Sequence, residues 1–245
     1  MSDSILRARG LTRRYGRRPG LSDCTLSVPP GRVVGLVGPN GAGKTTLLHL
    51  AVGLLAPTSG TVEVFGERPG YRPEHLARVG FVAHDAPLYP RLSVAGHLRM
   101  GALLNPGWDA PFAAERVRRL GLDPGQRAGR LSAGQRAQLA LTLAVAKRPE
   151  LLILDEPAAS LDPIARRDFL DDTARVVAER GTSVVFSSHL VGDLERICDY
   201  LIVLVASRVR AAGPVAELLA GLPVPVPLED LVLAYLREDQ PEVAA

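Results

Sequence analysis

The chain is poor in lysine, cysteine and aromatic residues, and it has no long unbroken apolar run. Only Lys44 and Lys147 are lysine; the other 27 of its 29 basic residues are arginine. The two cysteines, Cys24 and Cys198, lie far apart without metal-ligand spacing. That excludes a disulfide scaffold and a zinc module, and it fits a reducing compartment. The longest apolar stretches, Leu139 to Ala146 and Leu201 to Ala206, fall far short of the roughly 18 residues that span a bilayer. Arg7, Arg9, Arg13, Arg14, Arg17 and Arg18 crowd the N-terminus with no apolar segment behind them, so no secretory signal is expected. A net charge of +3 is too slight to argue for nucleic acid, and no such partner is expected. The expectation is a soluble chain that reaches a membrane only through another protein.

What is present suits one large α/β domain: 245 residues, 47% hydrophobic and 22% charged, ample for a core and unlike a disordered chain. Abundant arginine, alanine, glycine and proline together read as the bias of a GC-rich genome. Against that background each lysine is informative. Short strands are expected over Ser4 to Leu11 and Thr25 to Val28, then an apolar run from Arg32 to Val37 and a helix over Thr45 to Leu55. Strands at Thr61 to Phe65 and Val79 to Ala83 follow. From Pro87 to Arg130 the texture changes to helical pieces broken by proline, glycine and Trp108, with Ala113 to Leu122 amphipathic. Alternation then resumes: helix to Lys147, strand Leu151 to Leu154, helix Ile164 to Arg180, strand Ser183 to Ser187, helix Val191 to Cys198, strand Tyr200 to Val205. This rhythm predicts a mostly parallel sheet interrupted by a helical insertion. The expected organisation is a single domain over 1–240, an insertion at about 87–148, and a C-terminal helix and tail over 228–245.

Gly38-Pro39-Asn40-Gly41-Ala42-Gly43-Lys44-Thr45 satisfies the pattern G-x-x-x-x-G-K-[ST], after an apolar strand and before a helix. Glycines let the backbone N–H groups wrap a polyphosphate, and a helix N-terminus adds a favourable dipole. Lys44 is the expected point charge for β and γ phosphates, Thr45 a hydroxyl for Mg²⁺, and Thr46 a further phosphate contact. The second element is Leu151-Leu152-Ile153-Leu154-Asp155-Glu156, an apolar strand ending in two carboxylates. Asp155 is placed to hold Mg²⁺ and Glu156 to polarise an attacking water as general base. ATP and Mg²⁺ are therefore the expected ligands.

Leu131-Ser132-Ala133-Gly134-Gln135 resembles the LSGGQ signature of ABC-type ATPases, and it precedes the Asp155 strand as that family has it. Ser160-Leu161-Asp162 resembles the family's D-loop, Ser187-Ser188-His189 its switch-histidine segment, and Tyr15 its adenine-stacking aromatic. The resemblance runs from Tyr15 to about Val205. It implies a P-loop NTPase fold of the ABC ATPase type: a mixed-sheet core, an N-terminal antiparallel β portion and a helical insertion. It also implies that two such domains meet head to tail. Ser132, Ala133, Gly134 and Gln135 would then reach the γ-phosphate bound by the other chain. His189 would orient that phosphate and the water, and Asp162 would couple the two sites.

The sequence departs from this pattern in two places. His84 stands where the family has a glutamine touching Mg²⁺, water and the transporter-facing hinge. Imidazole binds Mg²⁺ less readily than an amide oxygen, and its charge changes near neutral pH, so altered hydrolysis or pH response is expected with the hinge retained. Ala133 replaces a glycine, which is tolerable where φ stays negative. With Glu156 and His189 both present, a homodimer is expected. The reading is the ATPase subunit of an ABC transporter, held peripherally at the inner face of the cell membrane by a separate permease that docks near His84 to Ala95. The tail and the segment Asn105-Pro106-Gly107-Trp108-Asp109 resemble bacterial drug- and antibiotic-export ATPases, so export is expected. The alternative is a soluble ABC ATPase of the iron–sulfur assembly type. His49, His75 and His97 match no site, and Lys147 is expected to serve the C-terminal end of its own helix.

Overall fold

In Leu6–Tyr15 (β1) the buried side chains are Leu6, Ala8 and Leu11, and strands on both sides take up its backbone. It pairs antiparallel with Arg18–Val28 (β2) and with Ser59–Val64 (β4), Leu6 lying opposite both Val28 and Val64. The register slips after Ala8, at Gly10, whose φ of 56° marks a bulge. The computed structural model describes residues 4–221 and 226–237. The expected tail beyond 237 lies outside them. The three strands form the antiparallel portion that the resemblance implied, although β1 and β2 extend further toward their shared turn than the apolar pattern indicated.

A second sheet in the same unit is built from apolar runs buried on both faces, the mark of parallel strands. Val33–Val37 (β3) lies between Ser183–Ser188 (β7) and Tyr200–Val205 (β8), parallel to each, and every residue of β7 and β8 is buried. The chain then turns through Ala206 and Ser207, both with positive φ (47° and 65°), and returns antiparallel as Arg208–Pro214 (β9). Paired left-handed residues match the right-handed twist of a hairpin. Sequence patterning omitted β9 because an edge strand reading Arg-Val-Arg-Ala-Ala-Gly-Pro has few apolar residues to reveal it. It makes this sheet mixed.

Lys44–Ala51 (α1), Val191–Glu195 (α7), Val215–Ala220 (α8) and Leu228–Arg237 (α9) complete a compact unit comprising the chain up to Tyr71 and from Ser183 onward. Helix α1 ends earlier than expected, because Gly53 adopts φ 82° and its N–H closes on the Leu50 carbonyl.

Arg72–Thr182 form the second unit. It contains Pro73–Arg78 (α2), Val79–Val82 (β5), Val94–Leu104 (α3), Ala110–Arg119 (α4), a 3₁₀ turn at Ala128–Arg130, Ala133–Ala146 (α5), Leu151–Asp155 (β6) and Pro163–Arg180 (α6). Strands β5 and β6 run parallel. Val94, Val117, Leu122, Ala128, Leu131 and Leu139 form the small core that gathers α3, α4 and α5. The Asn105–Asp109 segment has a structural job here. A Cβ on Gly101 would stand 2.5 Å from the Trp108 ring, so the indole seals the corner between α3 and α4. Asp109 then caps α4, accepting from the Phe112 amide, with a proline in the first turn. Lys147 departs from expectation: its ammonium donates to the Leu76 carbonyl of α2 at 2.8 Å, and burial lowers its pKa. It ties α5 to α2 rather than serving its own helix end.

Asp109 also accepts from Arg180 at 2.9 Å and Arg148 at 3.1 Å. Burial pushes its pKa up, but the Phe112 amide and the two arginines outweigh it and leave the carboxyl below its ordinary value. A depressed carboxyl stabilises the fold above the unfolded-state pKa and loses that contribution as pH falls through the folded one. Asp109→Asn is expected to cost about 1–3 kcal/mol at neutral pH. In paired denaturation curves the difference from wild type should shrink as pH falls below about 4.

Candidate nucleotide site

Strand β3 delivers the chain into the loop 38–45 with its last four residues buried. Two glycines there admit backbone carbonyls where a side chain would stand. A Cβ on Gly38 would lie 2.1 Å from the Leu204 oxygen, and one on Gly43 (φ 105°) 2.4 Å from the Gly20 oxygen. The loop is thereby pressed against β8 on one side and β2 on the other. Helix α1 starts without a side-chain cap and with no acid in its first turn, leaving its N-terminal dipole uncompensated by side chains. Lys44 is buried, and its ammonium donates to the Gly38 carbonyl at 2.7 Å and the Pro39 carbonyl at 3.3 Å. Ala42 is buried, Gly43 and Thr46 half-buried, and Pro39, Asn40, Gly41 and Thr45 exposed. An exposed glycine-rich turn, an inward-held ammonium and an uncapped helix start form an anion cradle.

Tyr15 is half exposed at the end of β1, with the Arg13 guanidinium 5.1 Å from its ring centroid. Gly20 lies between this ring and the loop. A Cβ there would meet the ring at 2.6 Å and the Thr46 hydroxyl at 3.2 Å. Sequence reasoning missed Gly20, because only the fold brings β2 between a strand-end tyrosine and the helix start. His189 is exposed at the end of β7. Val37 pairs with Ser188, so Gly38 and His189 leave the sheet at the same edge. The turn that carries His189 is held by Ser188, whose hydroxyl donates to Asp193 and accepts from the Leu190 amide, both at 3.0 Å. Asp193 was also missed, having no motif to mark it.

The remaining expected residues belong to the second unit. Strand β6 is buried throughout and ends in Asp155, itself only 1% exposed. Glu156 follows, half-buried, with φ 44°. A left-handed backbone is uncommon for a residue bearing a side chain and costs roughly 1–3 kcal/mol, a strain that clusters at functional positions. Val82 pairs with Leu154, so exposed His84 leaves the sheet at the edge where Asp155 and Glu156 do. Among the described residues no group of three or more His, Cys, Asp or Glu gathers around a common point. Mg²⁺ needs no such cage, being held by one or two protein oxygens and substrate phosphates.

The signature segment is a helix start. Ser132 Oγ accepts from the Gln135 amide at 3.2 Å, and Gln135 Oε1 accepts from the Ser132 amide at 2.9 Å, a reciprocal cap on α5. Leu131 anchors it in the small core. Ala133 is the first helical residue and lies outside the positive-φ positions, so its methyl costs nothing. Asp162 caps α6 from its side chain alone, its Oδ1 accepting from the Ile164 and Ala165 amides at 3.0 Å each. A Cβ on Gly134 would touch Ala165 at 3.6 Å, so the two helix starts stand side by side. His75 and His97 are buried; His97 accepts the Tyr89 amide at 3.1 Å and staples the loop before α3.

These features define a P-loop nucleotide-binding domain. A family profile described as "ABC transporter" matches residues 21–159, and the chain belongs to that family, so it carries an ATP-binding ATPase domain. It is 34% identical over 214 residues to the uncharacterized ABC transporter ATP-binding protein YdbJ of Bacillus subtilis, covering 86% of this chain and 70% of that one. It is 36% identical to the molybdenum import ATP-binding protein ModC of Rhodobacter capsulatus (88% and 62% covered) and 36% identical to the Nod factor export ATP-binding protein I of Cupriavidus metallidurans (88% and 73%). The chain thus spans less than two thirds of that molybdenum import relative. A solved structure of an ATP-binding subunit of an ABC transporter superposes with TM-score 0.81 at 27% identity, covering 95% of this chain and 99% of that one. Among relatives whose names give a direction, molybdenum, sulfate and ferric-ion importers stand beside the Nod factor exporter, so the expected export resemblance is not sustained. Among the described residues no helix is long and apolar enough to cross a membrane.

Ser132→Ala should remove the α5 cap at a cost of about 1 kcal/mol. Chemical denaturation would read this as a lower midpoint. An unchanged midpoint would mean that the reciprocal cap carries no net stability.

Proposed function

We propose that the chain is the ATP-hydrolysing subunit of a transporter, driving cargo through a separate membrane permease by ATP-dependent association with a second ATPase subunit, most simply a copy of itself. The observation that carries this reading is the loop 38–45: glycines seated on backbone carbonyls, a buried Lys44 and an uncapped α1, in a chain of the ABC transporter family. Residues 1–240 act as one ATPase domain in this reading, with the insertion at about 87–148. The permease meets the loop from His84 to Ala95 and holds the protein at the inner face of the membrane. Relatives named for molybdenum, sulfate and ferric-ion import support transport of a cargo without supporting export in particular.

The roles follow from chemistry at each position. Backbone N–H groups of the loop Gly38 to Gly43, with Thr46, ring the β and γ phosphates; Pro39, which has no N–H, shapes the turn with Asn40, Gly41 and Ala42, and Lys44 turns its ammonium from the loop carbonyls toward the phosphates. Tyr15 offers a flat apolar face to adenine. Thr45 and Asp155 supply the oxygens fitted to Mg²⁺, with an imidazole nitrogen of His84 a third candidate ligand; the ion would supply charge neutralisation at the phosphate oxygens when bound. Glu156 draws a proton from the attacking water, its carboxylate direction set by a strained backbone. His189 orients the γ-phosphate and that water. Ser132, Ala133, Gly134 and Gln135 bring the N-terminus of α5 to the γ-phosphate held by the second subunit, and Asp162 links the two sites.

Glu156→Gln should lower ATP turnover by about 10²- to 10⁴-fold while nucleotide binding persists, trapping an ATP-bound dimer visible by size-exclusion chromatography. Lys44→Ala should lose the binding itself. Wild-type turnover in Glu156→Gln would remove the general-base assignment. A pH–rate profile of His84→Gln superimposing on wild type would remove any role for His84 in hydrolysis.

A further inference from the structure

Helices α4, α5 and α6 are joined by a charge cluster that none of these roles uses. Arg116 of α4 heads the fully buried side chains of the described residues by volume. Its Nη2 donates to Asp172 Oδ2 of α6 at 2.7 Å and to Gln138 Oε1 of α5 at 3.1 Å. Its Nε donates to Thr142 Oγ1 of α5 at 3.1 Å. Nη1 is buried with no hydrogen-bond partner among the described residues. Asp172 is buried as well, and its other oxygen takes Arg175 and faces Arg119 at 3.6 Å. Asp109, at the start of α4, binds Arg180 in the last turn of α6 and Arg148 just beyond α5. Between the two knots lies the Phe112 ring, with Arg180 at 4.1 Å and Arg116 at 5.8 Å from its centroid.

A buried guanidinium–carboxylate pair adds little net stability, since apolar side chains of similar volume fill such space as well or better. It does restrict geometry. The planar fork of Arg116 meets acceptors on two other helices at once, and a point charge could not hold all three. The helices so fixed are the ones whose starts matter: α5 begins at Ser132 and α6 at Asp162, and the two starts touch through Gly134 and Ala165.

We infer that the Arg116–Asp172 pair is a positioning device for the signature segment, locking α4, α5 and α6 into one block so that Ser132–Gln135 and Asp162 are presented together. Its catalytic consequence rests on the proposed ATPase reading; its geometric consequence does not. Three variants test it: Asp172→Asn, Arg116→Lys, and the double Arg116→Met with Asp172→Leu, which removes both charges without stranding either. Thermal unfolding, affinity for a fluorescent ATP analogue, kcat and KM for ATP, and amide hydrogen exchange would be measured on the full chain below every unfolding transition. The double variant is expected to fold with the analogue affinity and KM of wild type, while kcat falls by about tenfold or more, the scale of a small misplacement. Exchange should quicken at 133–137 and 163–167 together. Arg116→Lys should recover thermal stability relative to Asp172→Asn but not kcat. A folded double variant with wild-type kcat and wild-type exchange would overturn the proposal, even if Asp172→Asn fails to fold. If the wild type hydrolyses no ATP, the functional reading fails, and the exchange measurement alone decides the positioning role.

Discussion

The phosphate loop can close only where backbone meets backbone. At Gly38 the space a side chain would need belongs to the Leu204 carbonyl, and at Gly43 to the Gly20 carbonyl. One contact fixes the loop to β8, which lies beside β3 in the parallel sheet; the other fixes it to β2, which belongs to the antiparallel sheet. The loop is thus one of the places where the two sheets of the first unit are held in relation, beside the Ser22 amide that donates to the Ser207 carbonyl and the Tyr200 hydroxyl that donates to the Ser27 carbonyl. Lys44 follows directly, because a loop with carbonyls turned inward gives its ammonium somewhere to sit in a nearly dry place. Burying a cation without such acceptors would cost several kcal/mol.

In the second unit, helix starts take the place of loops. Ser132 with Gln135, Asp162 and Asp109 each satisfy amides that a helix leaves unpaired, and each stands at the start of a helix in the same small bundle. A segment that caps its own helix is rigid beforehand, which in the proposed reading lowers the entropy cost of meeting a phosphate. Clamping by Arg116 and Asp172 extends that rigidity across three helices. Helix capping and the fixing of helix starts therefore share the same few side chains.

Much of this was legible in the residues. Apolar runs located the buried strands β3, β6, β7 and β8 to within a residue or two, because strands covered on both faces admit little else. Glycine spacing marked the loop, and paired carboxylates marked the end of β6. Three things were hidden. Edge strand β9 was masked by arginines, since an edge needs only one apolar face. Arg116 looked like one more arginine in a chain that has 27, and only burial distinguishes it. Lys147 looked like a helix-end cation until α2 folded back to offer it a carbonyl.

The sequence by itself determined which chemistry is available. A lysine and threonine after spaced glycines, and an aspartate and glutamate after an apolar strand, are local patterns whose meaning survives any arrangement of the rest. Tertiary structure decided what those patterns rest on. Gly20 matters because a ring and a hydroxyl converge on it from elsewhere in the chain, and Asp172 because arginines of α4 and of its own helix converge on it. The physical reason is one of range: backbone propensity and motif spacing act over a few residues. Steric exclusion and buried charge pairing depend on neighbours that only folding supplies.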